Sequence, residues 1–202
     1  MPAIETAIPL LILVAILAYL FGAIPFGLVL AKYVFGLGDI REIGSGNIGA
    51  TNVLRAGSKH AALLTLILDA GKGGIAVLIA SSLIGEDAGQ VAGFAAFFGH
   101  LYPIYLRFKG GKGVATFFGT LLALSPILFL ISGASWLFIA AITRYSSLAG
   151  ILAPFAALGG AYLFDFNDLT HVLVLMAALI LWRHRDNIKR LIMGKESKIG
   201  AK

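Results

Sequence analysis

One short segment concentrates glycines, hydroxyls, amides and a guanidinium group beside a long apolar run. It reads Gly44-Ser45-Gly46-Asn47-Ile48-Gly49-Ala50-Thr51-Asn52-Val53-Leu54-Arg55. Glycines such as Gly44, Gly46 and Gly49 let backbone N–H groups turn toward an anion with no Cβ in the way. The side chains that can donate to that anion are Ser45, Asn47, Thr51, Asn52 and Arg55. The composition favours a phosphate-binding loop over an ordinary solvated turn.

A second segment combines cations with glycines directly before another apolar run. It reads Arg107-Phe108-Lys109-Gly110-Gly111-Lys112-Gly113-Val114-Ala115-Thr116. A helix that begins here would present free N–H groups and a partial positive charge to an anion, and Lys109 and Lys112 would strengthen that site. The lysines could instead anchor the helix at lipid headgroups, but the interposed glycines are not needed for that role. The pattern therefore favours substrate binding.

Neither segment is a nucleotide motif. Gly113 stands where a P-loop has the Ser or Thr that holds magnesium. The Gly44-x-Gly46-x-x-Gly49 spacing matches the dinucleotide fingerprint, which has meaning only between a strand and a helix of a βαβ unit. No such unit is predicted here, so ATP and dinucleotide binding are not supported.

Asp69 and Lys72 are charged residues inside an apolar run. Their i,i+3 spacing places them on one side of a helix, where they can pair. Charges within a membrane segment are candidates for function, and Lys72 joins the candidate phosphate-binding residues. The alternative, that residues 61–70 lie in the interface and the span begins near Gly71, stays open at this stage.

The second half of the chain offers further candidates. Arg144 is followed by the hydroxyls of Ser146 and Ser147, and His184 and Asn187 lie three apart on a predicted helix. His184 could accept a proton or donate to a phosphate. A lone histidine in a basic tail, like His100 within its apolar run, is more often an ordinary polar residue.

The elements that position these residues are membrane helices. Of 202 residues, 59% are hydrophobic and 13% are charged, against about 25% charged in soluble domains. The run from Pro9 to Ala31 has no charged residue or histidine and would extend roughly 35 Å as a helix, enough to cross a bilayer core of about 30 Å. The sequence predicts an all-α, polytopic membrane protein with residues 1–202 as one domain.

Seven crossings are expected, and the charges between them predict the orientation. The spans are Pro9–Phe35, Ala61–Ile84, Gly89–Leu106, Val114–Leu130, Gly133–Thr143, Leu148–Phe164 and Thr170–Trp182. Basic residues occupy alternate connections and the C-terminal tail, which the positive-inside rule places in the cytoplasm, with the N-terminus outside. The net charge of +6 is accounted for in this way without a nucleic-acid partner. The candidate residues all lie on the cytoplasmic side or close to it.

Several kinds of chemistry are excluded or not indicated. The chain has no cysteine, which excludes a thiol nucleophile and a thioester intermediate. No metal-ligand spacing is present, so neither a metal nor a cofactor is expected. The His-x-x-x-x-Asp acyltransferase motif is absent, because the fifth residue after each histidine is Thr65, Tyr105, Met176 or Lys189.

Taken together, the segments resemble the bacterial acyl-phosphate:glycerol-3-phosphate acyltransferase family, the PlsY family. The matching stretches occur in order over most of the chain: Gly44–Arg55, Leu68–Gly73, Gly99–Pro103, Phe108–Thr116, Arg144–Leu148 and Arg183–Glu196. The resemblance implies a seven-helix enzyme that moves a fatty acyl group from acyl phosphate to the 1-hydroxyl of glycerol 3-phosphate. The products are lysophosphatidate and phosphate, in the first step of phospholipid synthesis.

The resemblance also implies roles and partners. Ser45, Asn47, Arg55 and Lys109 match family residues that handle phosphate or support the reaction, and so do Ser147, His184 and Asn187, which form the catalytic set. It implies a bacterial inner-membrane location, a site facing the cytoplasm, contact with membrane lipid, and a soluble enzyme that supplies acyl phosphate. The rival interpretation is a transporter for a phosphorylated solute, which only Asp69 and Lys72 favour, since transporter sites usually lie near the bilayer midplane.

Overall fold

The structure is a computed structural model that describes residues 5–200. Every regular element in that range is a helix, which confirms the predicted all-α class. The described chain divides into two compact units, residues 5–124 and residues 125–200. Lys202, part of the predicted basic tail, lies outside the described residues.

The first unit contains six α-helices. They are α1 Ile8–Gly22, α2 Phe26–Val29, α3 Ala50–Arg55, α4 Lys59–Leu83, α5 Glu86–Leu101 and α6 Val114–Leu124. A π-helical turn, Leu30–Val34, follows α2 directly, and 3₁₀ turns lie at Ile40–Glu42 and Ile104–Leu106. The predicted first span is interrupted between α1 and α2, because Pro25 has no N–H and disfavours a helical conformation at Ile24.

The second unit contains four α-helices. They are α7 Pro126–Thr143, α8 Ser146–Leu163, α9 Thr170–Arg183 and α10 Arg185–Ile192, with a 3₁₀ turn at Asn167–Leu169. The predicted boundary between Leu130 and Gly133 was wrong. The chain breaks instead at Ser125, whose hydroxyl accepts a hydrogen bond from the Leu128 N–H at 3.4 Å, and Pro126 begins α7. Proline suits the first turn of a helix, where its missing N–H costs nothing.

The predicted third span was too long at its C-terminal end. It was expected to reach Leu106, but α5 ends at Leu101 and the chain turns at Pro103 into the short 3₁₀ segment. Proline cannot donate the next helical hydrogen bond, and it disfavours a helical conformation at the residue before it. This early end matters for the site because it brings residues 107–113 back against α5.

Four helical stretches among the described residues are long and apolar enough to cross a membrane. They are Ile8–Val34, Lys59–Leu83, Pro126–Thr143 and Ser146–Leu163, and α6 is a shorter apolar helix. Large apolar side chains such as Leu78, Ile79, Phe138 and Ile142 are exposed on the outer faces of these helices. A soluble protein avoids so much apolar surface, whereas a bilayer covers it.

Small residues allow close packing inside the first unit. A Cβ on Gly22 of α1 would collide with the backbone of Ala96 on α5, and one on Gly93 would lie 2.6 Å from Thr120 and 2.7 Å from Val77. In a membrane, where lipid is as apolar as the side chains, close backbone approach is a main source of helix association. These contacts position the loops that connect the helices.

Candidate functional site

Asn52 organises the first glycine-rich segment. Its side chain is only 1% exposed, and its Nδ2 donates to the Ile40 carbonyl at 2.7 Å and the Ile43 carbonyl at 3.0 Å. Its Oδ1 accepts from the Ser45 N–H at 3.1 Å. Asn52 was predicted to donate to a phosphate, but both of its amide hydrogens are used within the loop. It therefore holds the loop in shape.

The glycines of this segment are explained by backbone conformation and close contact. Gly44 has φ +55°, and a Cβ there would lie 2.6 Å from Oδ1 of Asn52. Gly46 has φ +67°, also in the region that L-residues avoid. Gly49 is the residue before α3. The surrounding polar side chains remain at the surface: Ser45, Thr51 and Arg55 are exposed and Asn47 is half-buried.

The second glycine-rich segment folds back onto the end of α5. The Gly110 N–H donates to the Leu101 carbonyl at 3.2 Å, and the Gly111 N–H donates to the His100 carbonyl at 3.0 Å. Added Cβ atoms would strike these carbonyls at Gly110 and the His100 ring at Gly111. The interposed glycines are thus required by packing. Lys109 is exposed and Lys112 is half-buried.

The two glycine-rich segments lie at the same end of the first unit. Ile40, Ile48 and Val53 belong to one buried apolar cluster, and Leu106 packs against it. Leu106 directly precedes residues 107–113, so the segment that carries Lys109 and Lys112 adjoins the segment that carries Ser45 and Arg55. Cationic side chains from both segments therefore lie at this end of the first unit.

Asp69 and Lys72 form the predicted ion pair within α4. Nζ of Lys72 lies 2.8 Å from Oδ1 of Asp69, and the side chains are 1% and 2% exposed, respectively. The same Nζ donates to the Ile24 carbonyl at 3.0 Å. Both residues lie well inside Lys59–Leu83, one of the candidate spans. The Lys72 ammonium is therefore buried between packed helices, where it pairs with Asp69 and donates to the Ile24 carbonyl.

His100 joins this pair. Its Nδ1 lies 3.5 Å from Oδ1 of Asp69, and the side chain is buried. Its interpretation as an ordinary polar residue overlooked this contact. The available signal was weak: Asp69 and His100 lie in two of the stretches that carry the family resemblance.

In the second unit, Glu196 accepts hydrogen bonds from three polar side chains. Its Oε1 accepts from the Ser147 hydroxyl at 2.8 Å and from Nδ2 of Asn187 at 2.7 Å, and Nε of Arg190 donates to Oε2 at 2.7 Å. Burial alone would raise the pKa of Glu196, but hydrogen bonds from Asn187, Arg190 and Ser147 outweigh burial and lower it. Glu196 is therefore an ionised carboxylate that orients Ser147 and Asn187.

Glu196 was not among the predicted site residues. It lies between Lys195 and Lys198 in the tail that was predicted to be basic and cytoplasmic. Its side chain is instead 5% exposed. Two signals were present in the sequence: an acidic residue within a strongly basic segment, and its place at the end of Arg183–Glu196, a stretch that carries the family resemblance.

His184 lies at the junction of α9 and α10. Its Nδ1 is 2.8 Å from the Ile180 carbonyl oxygen. A carbonyl can only accept, so Nδ1 carries the hydrogen, and in the neutral ring Nε2 has the lone pair of a potential base. Asn187, three residues further on, lies in α10 and is also buried. The two residues were predicted on one helix, but α9 ends at Arg183 and α10 begins at Arg185, so His184 lies between the two helices.

Arg144 ends α7 in a left-handed conformation, with φ 62°. Its Nη2 donates to the Ile199 carbonyl at 2.9 Å, and its own carbonyl accepts from the Ile199 N–H at 2.6 Å. The tail therefore returns to the α7–α8 turn. Residues 5–200 include no group of three His, Cys, Asp or Glu placed to hold a metal ion.

The fold and these polar clusters define an integral membrane protein with cationic, glycine-rich loops suited to an anionic substrate. The family model of the glycerol-3-phosphate acyltransferases matches residues 12–194. The glycerol-3-phosphate acyltransferase of Dinoroseobacter shibae is 59% identical, over 100% of this chain and 99% of that protein. That of Jannaschia sp. is 55% identical, over 98% of each chain. The chain belongs to the glycerol-3-phosphate acyltransferase family.

Solved structures agree with this assignment. The crystal structure of PlsY (YgiH), an integral membrane glycerol 3-phosphate acyltransferase, in its glycerol 3-phosphate form is 42% identical with a TM-score of 0.89, and the similarity covers 94% of this chain and 96% of that one. The lysophosphatidic acid form is 41% identical with a TM-score of 0.86, over 94% and 95%.

Proposed function

We propose that this protein transfers a fatty acyl group from acyl phosphate to the 1-hydroxyl of glycerol 3-phosphate, giving lysophosphatidate and phosphate. The observation that carries the proposal is the adjoining position of two cationic, glycine-rich segments in a member of this family. PlsY has been solved in glycerol 3-phosphate and lysophosphatidic acid forms, which correspond to the acceptor and the product of this reaction.

The bond changes are those of a direct acyl transfer. The 1-hydroxyl oxygen of glycerol 3-phosphate attacks the acyl carbonyl carbon and forms the new ester bond. The bond from that carbon to the phosphate oxygen breaks, and phosphate leaves with the electron pair. The hydroxyl proton passes to a base, which is Nε2 of His184 or the substrate's own phosphate. Because acyl phosphate is already activated, no nucleophilic side chain is required.

Phosphate binding is assigned to the surface residues of the two glycine-rich segments. Cations and N–H donors fixed in advance stabilise phosphate charge and orient the reacting groups. The proposed donors are Ser45, Asn47, Thr51, Arg55, Lys109 and Lys112, with the backbone of Gly44, Gly46 and Gly49. Asn52 and Lys72 support this arrangement from within the first unit.

In the second unit, the proposed supporting groups are Ser147, Asn187 and Arg144. The ionised Glu196 fixes Ser147 and Asn187 through hydrogen bonds to one oxygen. Arg144 is exposed and adds positive charge at the turn between α7 and α8. The proposal needs neither a metal ion nor a cofactor, so a chelator should leave the rate unchanged.

We further propose seven membrane crossings, with the N-terminus outside and the site facing the cytoplasm of a bacterial inner membrane. The distribution of basic loops supports this orientation. Residues 1–202 would act as one membrane-embedded domain, because the family match runs through both units. Acyl phosphate would come from a soluble enzyme on the cytoplasmic side.

The direct test uses purified protein in detergent with acyl phosphate and radiolabelled glycerol 3-phosphate. We expect labelled 1-acyl-glycerol 3-phosphate and one phosphate released per product. Acyl-CoA in place of acyl phosphate serves as the donor control and should give no product. Product from acyl-CoA alone would overturn the assignment of the donor.

The same assay separates the enzyme from the transporter. In detergent there are no separate compartments between which a transporter could move its solute, so a transporter would form no product. Absence of turnover, together with uptake of glycerol 3-phosphate into proteoliposomes, would favour the transporter instead.

A further inference from the structure

Asp69 makes two contacts through one carboxylate oxygen, one with Lys72 on its own helix α4 and one with His100 on α5. Oδ1 lies 2.8 Å from Nζ of Lys72 and 3.5 Å from Nδ1 of His100, and all three side chains are buried. Charged groups are costly in a membrane helix and are rarely retained there without a purpose. The pair and the histidine have no surface through which they could bind substrate directly, so their purpose must be sought in what they contact.

The contact with Lys72 connects Asp69 to the segment Gly44–Arg55. Lys72 donates to the Ile24 carbonyl at 3.0 Å, at the break between α1 and α2, and its Nζ lies 5.7 Å from the centre of the Phe26 ring. One residue further on, a Cβ on Gly27 would collide with the Ile48 carbonyl. The start of α2 therefore touches the backbone of the glycine-rich segment, and Lys72 is hydrogen-bonded to the residue two positions before α2 begins.

The contact with His100 connects Asp69 to residues 107–113. The His100 carbonyl accepts from the Gly111 N–H at 3.0 Å. The His100 ring also lies directly against the Gly111 Cα, where a Cβ would strike Nε2. Gly111 lies between Lys109 and Lys112, so His100 packs directly against the backbone that carries both lysines.

We propose that Asp69 is a positioning residue that fixes the two glycine-rich segments relative to each other, through Lys72 on one side and His100 on the other. A phosphate bound by both segments requires their donors at a defined separation. This inference rests on the proposed function for its effect on catalysis, but the positioning itself is a structural property that can be measured without turnover.

Kinetics provide the first test, with Asp69→Asn as the main variant. It keeps the shape of the side chain and removes its charge, which releases both contacts. We expect the KM for glycerol 3-phosphate to rise about tenfold or more, since small displacements of binding groups have effects of up to about 100-fold. We expect kcat to change much less. Val77→Ala, at a buried position further along α4, is the control for general loss of helix packing and should leave KM unchanged.

The double variant Asp69→Asn/Lys72→Met separates positioning from simple stability. Asp69→Asn alone leaves a buried ammonium without its partner, which is strongly destabilising, whereas removing both charges relieves that penalty. We therefore expect the Tm to recover in the double variant while KM stays raised. Recovery of both Tm and KM would show that the pair serves stability alone and would overturn the proposal.

A distance measurement tests the positioning independently of any activity. The chain has no natural cysteine, so spin labels can be placed only at Thr51→Cys and Lys109→Cys, both exposed positions. We expect a narrow distance distribution in the parent and in Val77→Ala, and a shifted or broadened one in Asp69→Asn. An unchanged distribution in Asp69→Asn would refute the inference. If the protein without added cysteines has no acyltransferase activity and this broadening is still observed, only the proposed function is refuted.

Discussion

Asn187 donates a hydrogen bond from Nδ2 to Oε1 of Glu196 at 2.7 Å, and the Ser147 hydroxyl donates to the same oxygen at 2.8 Å. One carboxylate thus holds two of the predicted catalytic residues, from α8 and α10. Glu196 also connects to Arg190. The tail that follows α10 is therefore a structural part of the second unit.

Replacing this carboxylate should destabilise the second unit. Glu196→Gln keeps the size of the side chain but removes the charge and replaces one acceptor oxygen with a donor. We expect a loss of about 2 kcal/mol in the free energy of unfolding, because hydrogen bonds to charged groups are each worth roughly 1.5–3 kcal/mol. Thermal unfolding in detergent measures this, with the exposed neighbour Lys195→Gln as the control. Equal Tm values for Glu196→Gln and the parent would contradict the role of this carboxylate.

The contribution of Glu196 should depend on pH in a defined direction. Its folded pKa lies below the usual value of 4.5, so the unfolded chain takes up its proton first as the pH falls. The stabilisation is therefore fully present above pH 4.5 and is lost as the pH falls through the folded pKa. We expect the Tm difference between the parent and Glu196→Gln to shrink on acidification from pH 7 to pH 3. A difference that stays constant over that range would show that the stabilisation is not ionic.

Two glycines with similar backbone conformation offer a matched test of the first loop. Gly44 and Gly36 have φ +55° and +63°, but an added Cβ meets Asn52 at 2.6 Å only at Gly44, and meets nothing within 4 Å at Gly36. Each alanine variant should lose about 1 kcal/mol of stability from the left-handed conformation. Gly44→Ala should in addition raise the KM for glycerol 3-phosphate about tenfold, because the loop must shift. Equal KM values in the two variants would argue against a binding role for this loop.

His184 has the tautomer and burial of a potential base. We expect His184→Ala to lower kcat about 100-fold or more if Nε2 accepts the hydroxyl proton. The exposed His60→Ala should leave kcat unchanged, and Tm values show whether each variant is folded. A folded His184→Ala variant with the parent's kcat would assign proton acceptance to the phosphate of the substrate.

Patterns with a local physical basis were predicted well from the sequence. The helical class followed from apolar runs with few charges, and the Asp69–Lys72 pair followed from its i,i+3 spacing. The start of α7 was misplaced at Gly133, whereas Ser125 and Pro126 together end one helix and start the next. An apolar membrane helix tolerates an internal glycine. A capping serine followed by a proline instead marks the start of a new helix.

Roles that depend on tertiary contacts could not be read from the sequence. Asn52 has the same donors whether it binds an anion or its own loop, and only the Ile40 and Ile43 carbonyls distinguish these roles. Glu196 and Ser147 are 49 residues apart, too far for any spacing rule. The glycines at 110 and 111 were attributed to anion binding, and the structure adds a packing requirement against α5.

The central claim is that residues 44–55 and 107–113 face the cytoplasm together and bind one anionic substrate. Single cysteines at Thr51 and Lys109, on a chain with no other cysteine, can be labelled with a membrane-impermeant maleimide in vesicles of known orientation. The account predicts that both sites label only in inside-out vesicles, and that glycerol 3-phosphate slows labelling at both. Labelling of the two sites from opposite sides of the membrane would contradict it.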